Sequence, residues 1–301
     1  MFSFFTALRP TQWLKNLVLF VALVFNGQLF SEFIILKVFF GFISFCFLSS
    51  ASYLINDLKD LPYDKRHPVK KNRPIPSGRV TKTTALFGII ILSFSGFLIA
   101  LNLSTSFLII ASLFLLLHVA YSFGFKKFVS LDILTIAISF VLRAFAGEIL
   151  TGFHIPIWLI LTIVFLSLFV ASSKRHSEFL RTGVSTRPTL LHYQERLLDF
   201  YTTTFATATV LSYALFVFFE KPPVLNSFTQ DFLNSAFPLA LERKWLILTF
   251  PFVLLGIMRY GQIVYGKKGA EAPEKLITQD IPLLAIVIGW GLMSIIILYL
   301  I

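Results

Sequence analysis

Cysteine is almost missing from this chain. One thiol, Cys46, in 301 residues excludes an internal disulfide and any cysteine-built metal site. Charge is nearly as scarce: Asp, Glu, Lys and Arg make up 14% of the residues, with 15 acids against 26 bases. Familiar catalytic signatures are absent too. There is no Walker-type phosphate loop, no Gly-x-Ser-x-Gly elbow and no His-Glu-x-x-His pair. The five histidines, His67, His118, His154, His176 and His192, fall at no metal-ligand spacing. The stretch "MFSFFTALRPTQWLKN" holds no basic region ahead of a cleavable apolar core, so no removable signal peptide is expected. No internal repeat or low-complexity tract interrupts the chain, which reads as a single transmembrane domain over residues 1–301.

What is present is apolar surface. Hydrophobic residues make up 56% of the chain, 36 of them Phe, and the mean hydropathy is +0.82. A soluble domain of this length would have too little polar surface to stay wetted. Runs near the length that spans a bilayer recur at roughly 16–30, 33–55, 83–101, 105–121, 131–150, 156–172, 201–219, 245–260 and 281–301. The expectation is an all-α polytopic membrane protein with about nine transmembrane helices. Of the 26 Lys and Arg residues, 21 fall in alternate connections; only Lys37, Arg143, Lys221, Arg243 and Lys244 lie elsewhere. That asymmetry puts the N-terminus and the charged loops on the cytoplasmic side of the cell inner membrane, and the C-terminus outside. The net charge of +11 is assigned to topology and phosphate-bearing substrates, not to nucleic acid. Whether copies join as a homo-oligomer is left open.

The densest charge is "NDLKDLPYDKRHPVKKNRPIPSG" (56–78). Asp57, Asp60 and Asp64 are spaced i, i+3, i+7 and share one helix face. Clustered carboxylates repel unless cations lie between them, and oxygen-only ligation completed by water and phosphate suits Mg²⁺. Pro62 cannot donate to the Leu58 carbonyl, so a kink or a fresh start is expected there, which makes Asp64 the least secure ligand. Lys70, Lys71 and Arg73 alternate with prolines, giving a stiff cationic cap suited to phosphate. A solvated mixed-charge loop, or cations that serve only topology, are the plainer readings. Asn56 and Asp57 argue against them, because both follow apolar "ASYLI" directly.

Three further features carry charge. "YSFGFKKFVSLD" (121–132) offers Tyr121, Lys126, Lys127 and Asp132 at the ends of two spans, suiting one ribose or metal contact and one phosphate contact. "SSKRHSEF" (172–179) offers Lys174, Arg175 and Glu178, where Lys174 and Glu178 at i, i+4 are placed to pair with each other. Arg143 lies in mid-span, so it must face a cavity or a partner. An anionic lipid head or a carboxylate on another span would suit it.

Asn56-Asp57-x-x-Asp60-x-x-x-Asp64, followed by Arg73-Pro74-Ile75 and Ser77-Gly78, resembles the first motif of the UbiA superfamily of membrane prenyltransferases. Within it the chain is more similar to the decaprenyl-phosphate phosphoribosyltransferase branch. The likeness runs through "RPTQWLKN" (9–16), the 56–78 segment, "YSFGFKKFVSLD", "FVLRAFAGE" (140–148), "SSKR" (172–175), "LSYALF" (211–216) and "APEKLITQDIPLL" (272–284). It implies transfer of 5-phosphoribose from phosphoribosyl diphosphate (PRPP) to a polyprenyl phosphate, with release of diphosphate, and a role in building the cell envelope. It further implies Asp57, Asp60 and Asp64 as catalytic and Mg²⁺-binding residues. Substrate contacts are implied for Lys15, Asn56, Lys70, Arg73, Tyr121, Lys126, Asp132, Arg143, Lys174 and Arg175. The prenyltransferase branch carries a second Asp-x-x-x-Asp; here that stretch is Asp132-Ile-Leu-Thr-Ile136, with only the first acid. The departure disfavours the alternative, an aromatic prenyltransferase using a polyprenyl diphosphate donor. A lipid transporter would explain the cations but not three carboxylates on the same side.

Overall fold

The computed structural model describes residues 2–67, 69–128, 130–182, 195–220, 235, 244–266 and 279–300. Among them there are helices and turns and no strand. Two compact units divide the chain: the described residues up to His154, and those from Ile155 on.

The first unit opens with α1 (Phe2–Ala7), a 3₁₀ helix (Pro10–Phe20) and the short α2 (Val21–Phe25). Four long helices follow: α3 (Glu32–Asp64), α4 (Lys82–Leu103), α5 (Thr105–Phe123) and α6 (Leu131–Thr151). Thr81 and Ser104 cap α4 and α5, their hydroxyls accepting from the N–H groups of Thr84 and Phe107 at 3.1 Å each. The core joins Leu19 and Leu23 of the N-terminal segment to Phe45, Leu48, Phe107, Phe114 and Ala146. Between apolar helices in lipid, close packing holds the bundle together more than transfer from water does. Gly147 is where this matters most: a Cβ there would stand 2.2 Å from the Leu19 carbonyl oxygen, so only glycine lets the N-terminal segment lie on α6. Many of the phenylalanines, among them Phe33, Phe87 and Phe94, lie exposed on spanning helices, as expected of side chains that face lipid.

The length of α3 positions the chemistry. Its 33 residues rise about 50 Å, roughly 20 Å more than the hydrocarbon thickness, so its last turns leave the apolar zone carrying Asn56 to Asp64. Pro62 does not stop it. The helix runs unbroken to Asp64, and beyond the proline the N–H of Lys65 bonds the Leu61 carbonyl at 3.2 Å. Only one backbone bond is lost, within a turn of the helix end, where the cost is least. The proline-rich cap folds back as a turn that buries Pro74, Ile75 and Pro76. Ile75 and Val80 pack against Ala7, Leu54, Leu61 and Ala85.

The second unit holds α7 (Ile157–Thr182), α8 (Glu195–Phe219), a 3₁₀ turn (Trp245–Thr249) running into α9 (Phe250–Tyr265), and α10 (Ile281–Ile295). Thr162 of α7 donates to Ser212 of α8 at 3.1 Å. The hydroxyl of Tyr213 is 2.6 Å from that of Thr249 and accepts from the Trp290 indole at 2.8 Å, tying α8, the turn and α10 together.

Eight helices among the described residues are long and apolar enough to cross a membrane, and the shorter apolar helix Pro10–Phe25 stands where the first of nine expected spans falls. That segment reaches farther than its residue count suggests. Eleven residues in 3₁₀ winding and five in α rise about 30 Å, the thickness of the hydrocarbon. The protein is a multi-pass membrane protein.

Candidate active site

The candidate site is built on the last two turns of α3. Asp57 and Asp64, a full two turns apart, point the same way and are 1% and 4% exposed. Both reach one atom, Nη1 of Arg73, at 3.3 and 2.8 Å. Arg73 can do this because the proline-rich turn brings it back over the helix end. Asp57 also accepts a hydrogen bond from Arg9, whose guanidinium lies 5.2 Å over the Tyr53 ring. Burial works against the Arg9 charge, but the Asp57 carboxylate outweighs it, and Arg9 holds its proton more firmly than an ordinary arginine. Asp60 pairs with Lys126, which also donates to Asn56 Oδ1 at 3.2 Å. Three carboxylates thus meet three cations supplied by the N-terminal segment, the cap and the α5–α6 connection.

That connection is a 3₁₀ turn, Phe125–Lys127, after Gly124. It decides between the paired lysines: Lys126 turns toward α3 and Lys127 is exposed. Asp132, 1% exposed at the start of α6, accepts from the Tyr121 hydroxyl at 2.8 Å, so the ends of α5 and α6 are locked to each other. Lys70 is half-buried in the cap, where its N–H donates to His67 Nδ1 at 3.2 Å. Lys15 is half-buried on the 3₁₀ helix and donates to Gln12 at 2.6 Å.

Asn56, Asp57, Asp60, Asp64, Arg73 and Lys126 therefore stand together as the sequence suggests. Arg143 does not join them through any described contact; it is 2% exposed, and no carboxylate is among its partners. Lys174 and Arg175 belong to the second unit. There Arg175 pairs with Glu178 at 2.9 Å. The role of Arg9 is the residue-level reading that sequence reasoning missed. Its only signal was an arginine next to a proline just ahead of the first apolar run, which topology alone explained equally well.

The donor set suits a hard divalent cation. Asp57 and Asp64 offer two carboxylates converging on one cationic point, and Mg²⁺ is commonly held by one or two carboxylates with water and substrate phosphate completing the shell. Among the described residues no group of three His, Cys, Asp or Glu side chains converges on a single point suitable for a metal. Asp60, the third expected ligand, lies in the same cluster and pairs with Lys126.

Spanning helices that end in a buried acidic face ringed by arginine and lysine define a membrane protein whose charged groups suit phosphate-bearing molecules. The chain belongs to the UbiA prenyltransferase family, which matches residues 16–277. It is 33% identical to the decaprenyl-phosphate phosphoribosyltransferase of Corynebacterium glutamicum over 94% of this chain and 83% of that protein. The enzyme of the same name from Mycolicibacterium smegmatis is 32% identical over 94% of this chain and 88% of its own length. In fold, the chain is similar to a UbiA homologue from Archaeoglobus fulgidus solved with GPP and Mg²⁺. The TM-score is 0.70 at 18% identity, over 97% of this chain and 99% of that one.

Proposed function

We propose that this protein transfers 5-phosphoribose from PRPP to a polyprenyl phosphate, releasing diphosphate, with Mg²⁺ as cofactor. The observation that carries the reading is likeness along 94% of the chain to phosphoribosyltransferases that act on decaprenyl phosphate, together with the charge pairing at the end of α3. The reaction faces the cytoplasm at the inner membrane, because the loops that bear the site carry most of the Lys and Arg.

The chemistry follows from the charges. A polyprenyl phosphate is already ionised and needs no general base. The demanding event is departure of diphosphate from ribose C1 while positive charge grows on the ring. Mg²⁺ on Asp57 and Asp64 would supply neutralisation of the leaving diphosphate. Arg73 and Lys126 offer donors for the remaining phosphate oxygens, Arg73 as a fork and Lys126 as a point charge. Tyr121 holds the Asp132 carboxylate in one orientation at the α6 end, as a ribose contact requires. In-line displacement inverts C1.

The test is purified protein in detergent with polyprenyl monophosphate, Mg²⁺ and radiolabelled PRPP. Label is expected to move into the organic phase, to stop doing so with EDTA, and to fall at least about a hundredfold in Asp57→Asn. No transfer from PRPP, with consumption of a polyprenyl diphosphate and an aromatic acid instead, would move the chain to the prenyltransferase branch.

A further inference from the structure

Arg143 sits eleven residues beyond Asp132 on α6, about 16 Å along the helix. Taking a guanidinium out of water with no opposite charge beside it costs several kcal/mol, so its neutral partners must compensate. Nε donates to Asn16 Oδ1 at 2.8 Å. Nη1 donates to the Ser139 carbonyl and hydroxyl at 2.8 and 3.0 Å. The rings of Phe114 and Phe140 lie 4.6 and 5.3 Å from the guanidinium carbon. Asn16 is the one of these partners that belongs to the N-terminal segment. It is fully buried, and it also donates to Cys46 Sγ at 3.3 Å and accepts from Ser49 at 3.4 Å.

Asn16 is a fixing point of an unusual element. A 3₁₀ helix rarely runs beyond three or four residues unaided, because its hydrogen bonds are poorly aligned. Here it runs for eleven, so tertiary contacts hold it. Trp13 donates to Ser50 at 3.0 Å, Ser50 donates to the Leu8 carbonyl at 3.0 Å, Leu19 lies on Gly147, and Asn16 is gripped by Arg143. The residue just before the helix is Arg9, in the left-handed region at φ 55 and ψ 61, a conformation that costs a non-glycine residue of the order of 1 kcal/mol or more. That strained residue is the one that meets Asp57.

We propose that Arg143 is a positioning residue: through Asn16 it locks the Pro10–Phe20 helix onto α3 and α6, and so sets Arg9 against Asp57. The proposal rests on the reading of Asp57 as part of the PRPP site. It differs from a direct contact between Arg143 and the lipid phosphate, and it explains a buried charge whose partners are all neutral.

Two measurements on the full chain in detergent test it. The first needs no substrate. Cys46 is the single thiol and 3% exposed behind Asn16, so its labelling by N-ethylmaleimide reports whether the N-terminal helix is seated. Arg143→Gln is expected to speed labelling about tenfold, and Arg143→Lys, which keeps a donor within reach of Asn16, to recover much of the protection. The second is a double-mutant cycle. Arg143→Gln should raise the KM for PRPP about tenfold with the lipid KM unchanged, and adding it to Arg9→Gln should cost little more than Arg9→Gln alone, because both act through one contact. Should Arg143→Gln fail to fold, Asn16→Ala takes its place in the cycle, since it leaves the charge its Ser139 and ring contacts. A raised lipid KM with Cys46 still protected would overturn the proposal, as would multiplicative effects at positions 9 and 143. Absence of any PRPP transfer by the parent protein would sink the substrate reading but leave the labelling result standing.

Discussion

At the residue scale the site is a matter of charge distribution. Each carboxylate at the end of α3 has a cation, and the cations come from three separate stretches of chain. Removing one leaves a buried or half-buried carboxylate without its partner, which costs more than the pair is worth when intact. Lys126 and Lys127 are the cleanest comparison because they differ by one position. Lys126→Gln is expected to cut kcat/KM for PRPP by about ten- to a hundredfold, the loss of one charge-assisted contact. Lys127→Gln, which removes an exposed charge, should stay within about twofold of the parent. Initial rates over a PRPP series decide it; equal losses would mean that Lys126 is not singled out by its contact with Asp60.

At the element scale two devices deserve comparison, because each breaks a local rule. The first is a helix that passes through a proline and so keeps Asp64 in line with Asp57. The second is the extended 3₁₀ winding of the N-terminal segment, tolerated because α6 presents a glycine to Leu19. Gly147→Ala is expected to destabilise the protein by about 1–3 kcal/mol, since the new methyl meets backbone that cannot swing aside as a side chain would. The intrinsic helix preference of alanine acts the other way and is smaller. Thermal unfolding in detergent measures the balance; an unchanged or raised Tm would show that the segment can lift off α6 without loss.

For the whole molecule the deciding quantity is the number of crossings. The eight long helices among the described residues would by themselves return the chain to the face where it started, whereas a further crossing by Pro10–Phe25 puts its two ends on opposite faces. The rise of that segment and the alternation of Lys and Arg both favour nine. Fluorescent-protein and alkaline-phosphatase fusions at each end are expected to report the N-terminal end inside and the C-terminal end outside. Both ends on one face would reduce Pro10–Phe25 to a segment that enters the bundle without crossing.

Sequence by itself determined the membrane class, the places of the spans, and the acidic face on which Asp57, Asp60 and Asp64 lie. These follow from local properties, namely hydropathy over twenty residues and the 3.6-residue period of a helix, which hold whatever the rest of the chain does. Tertiary structure alone decided that Arg9 guards Asp57, that Lys126 and not its neighbour faces Asp60, and that Asn16 answers Arg143. These join residues 48 to 127 positions apart. Such pairings depend on how helices pack and turn against one another, and nothing in the spacing of charges along the chain encodes that.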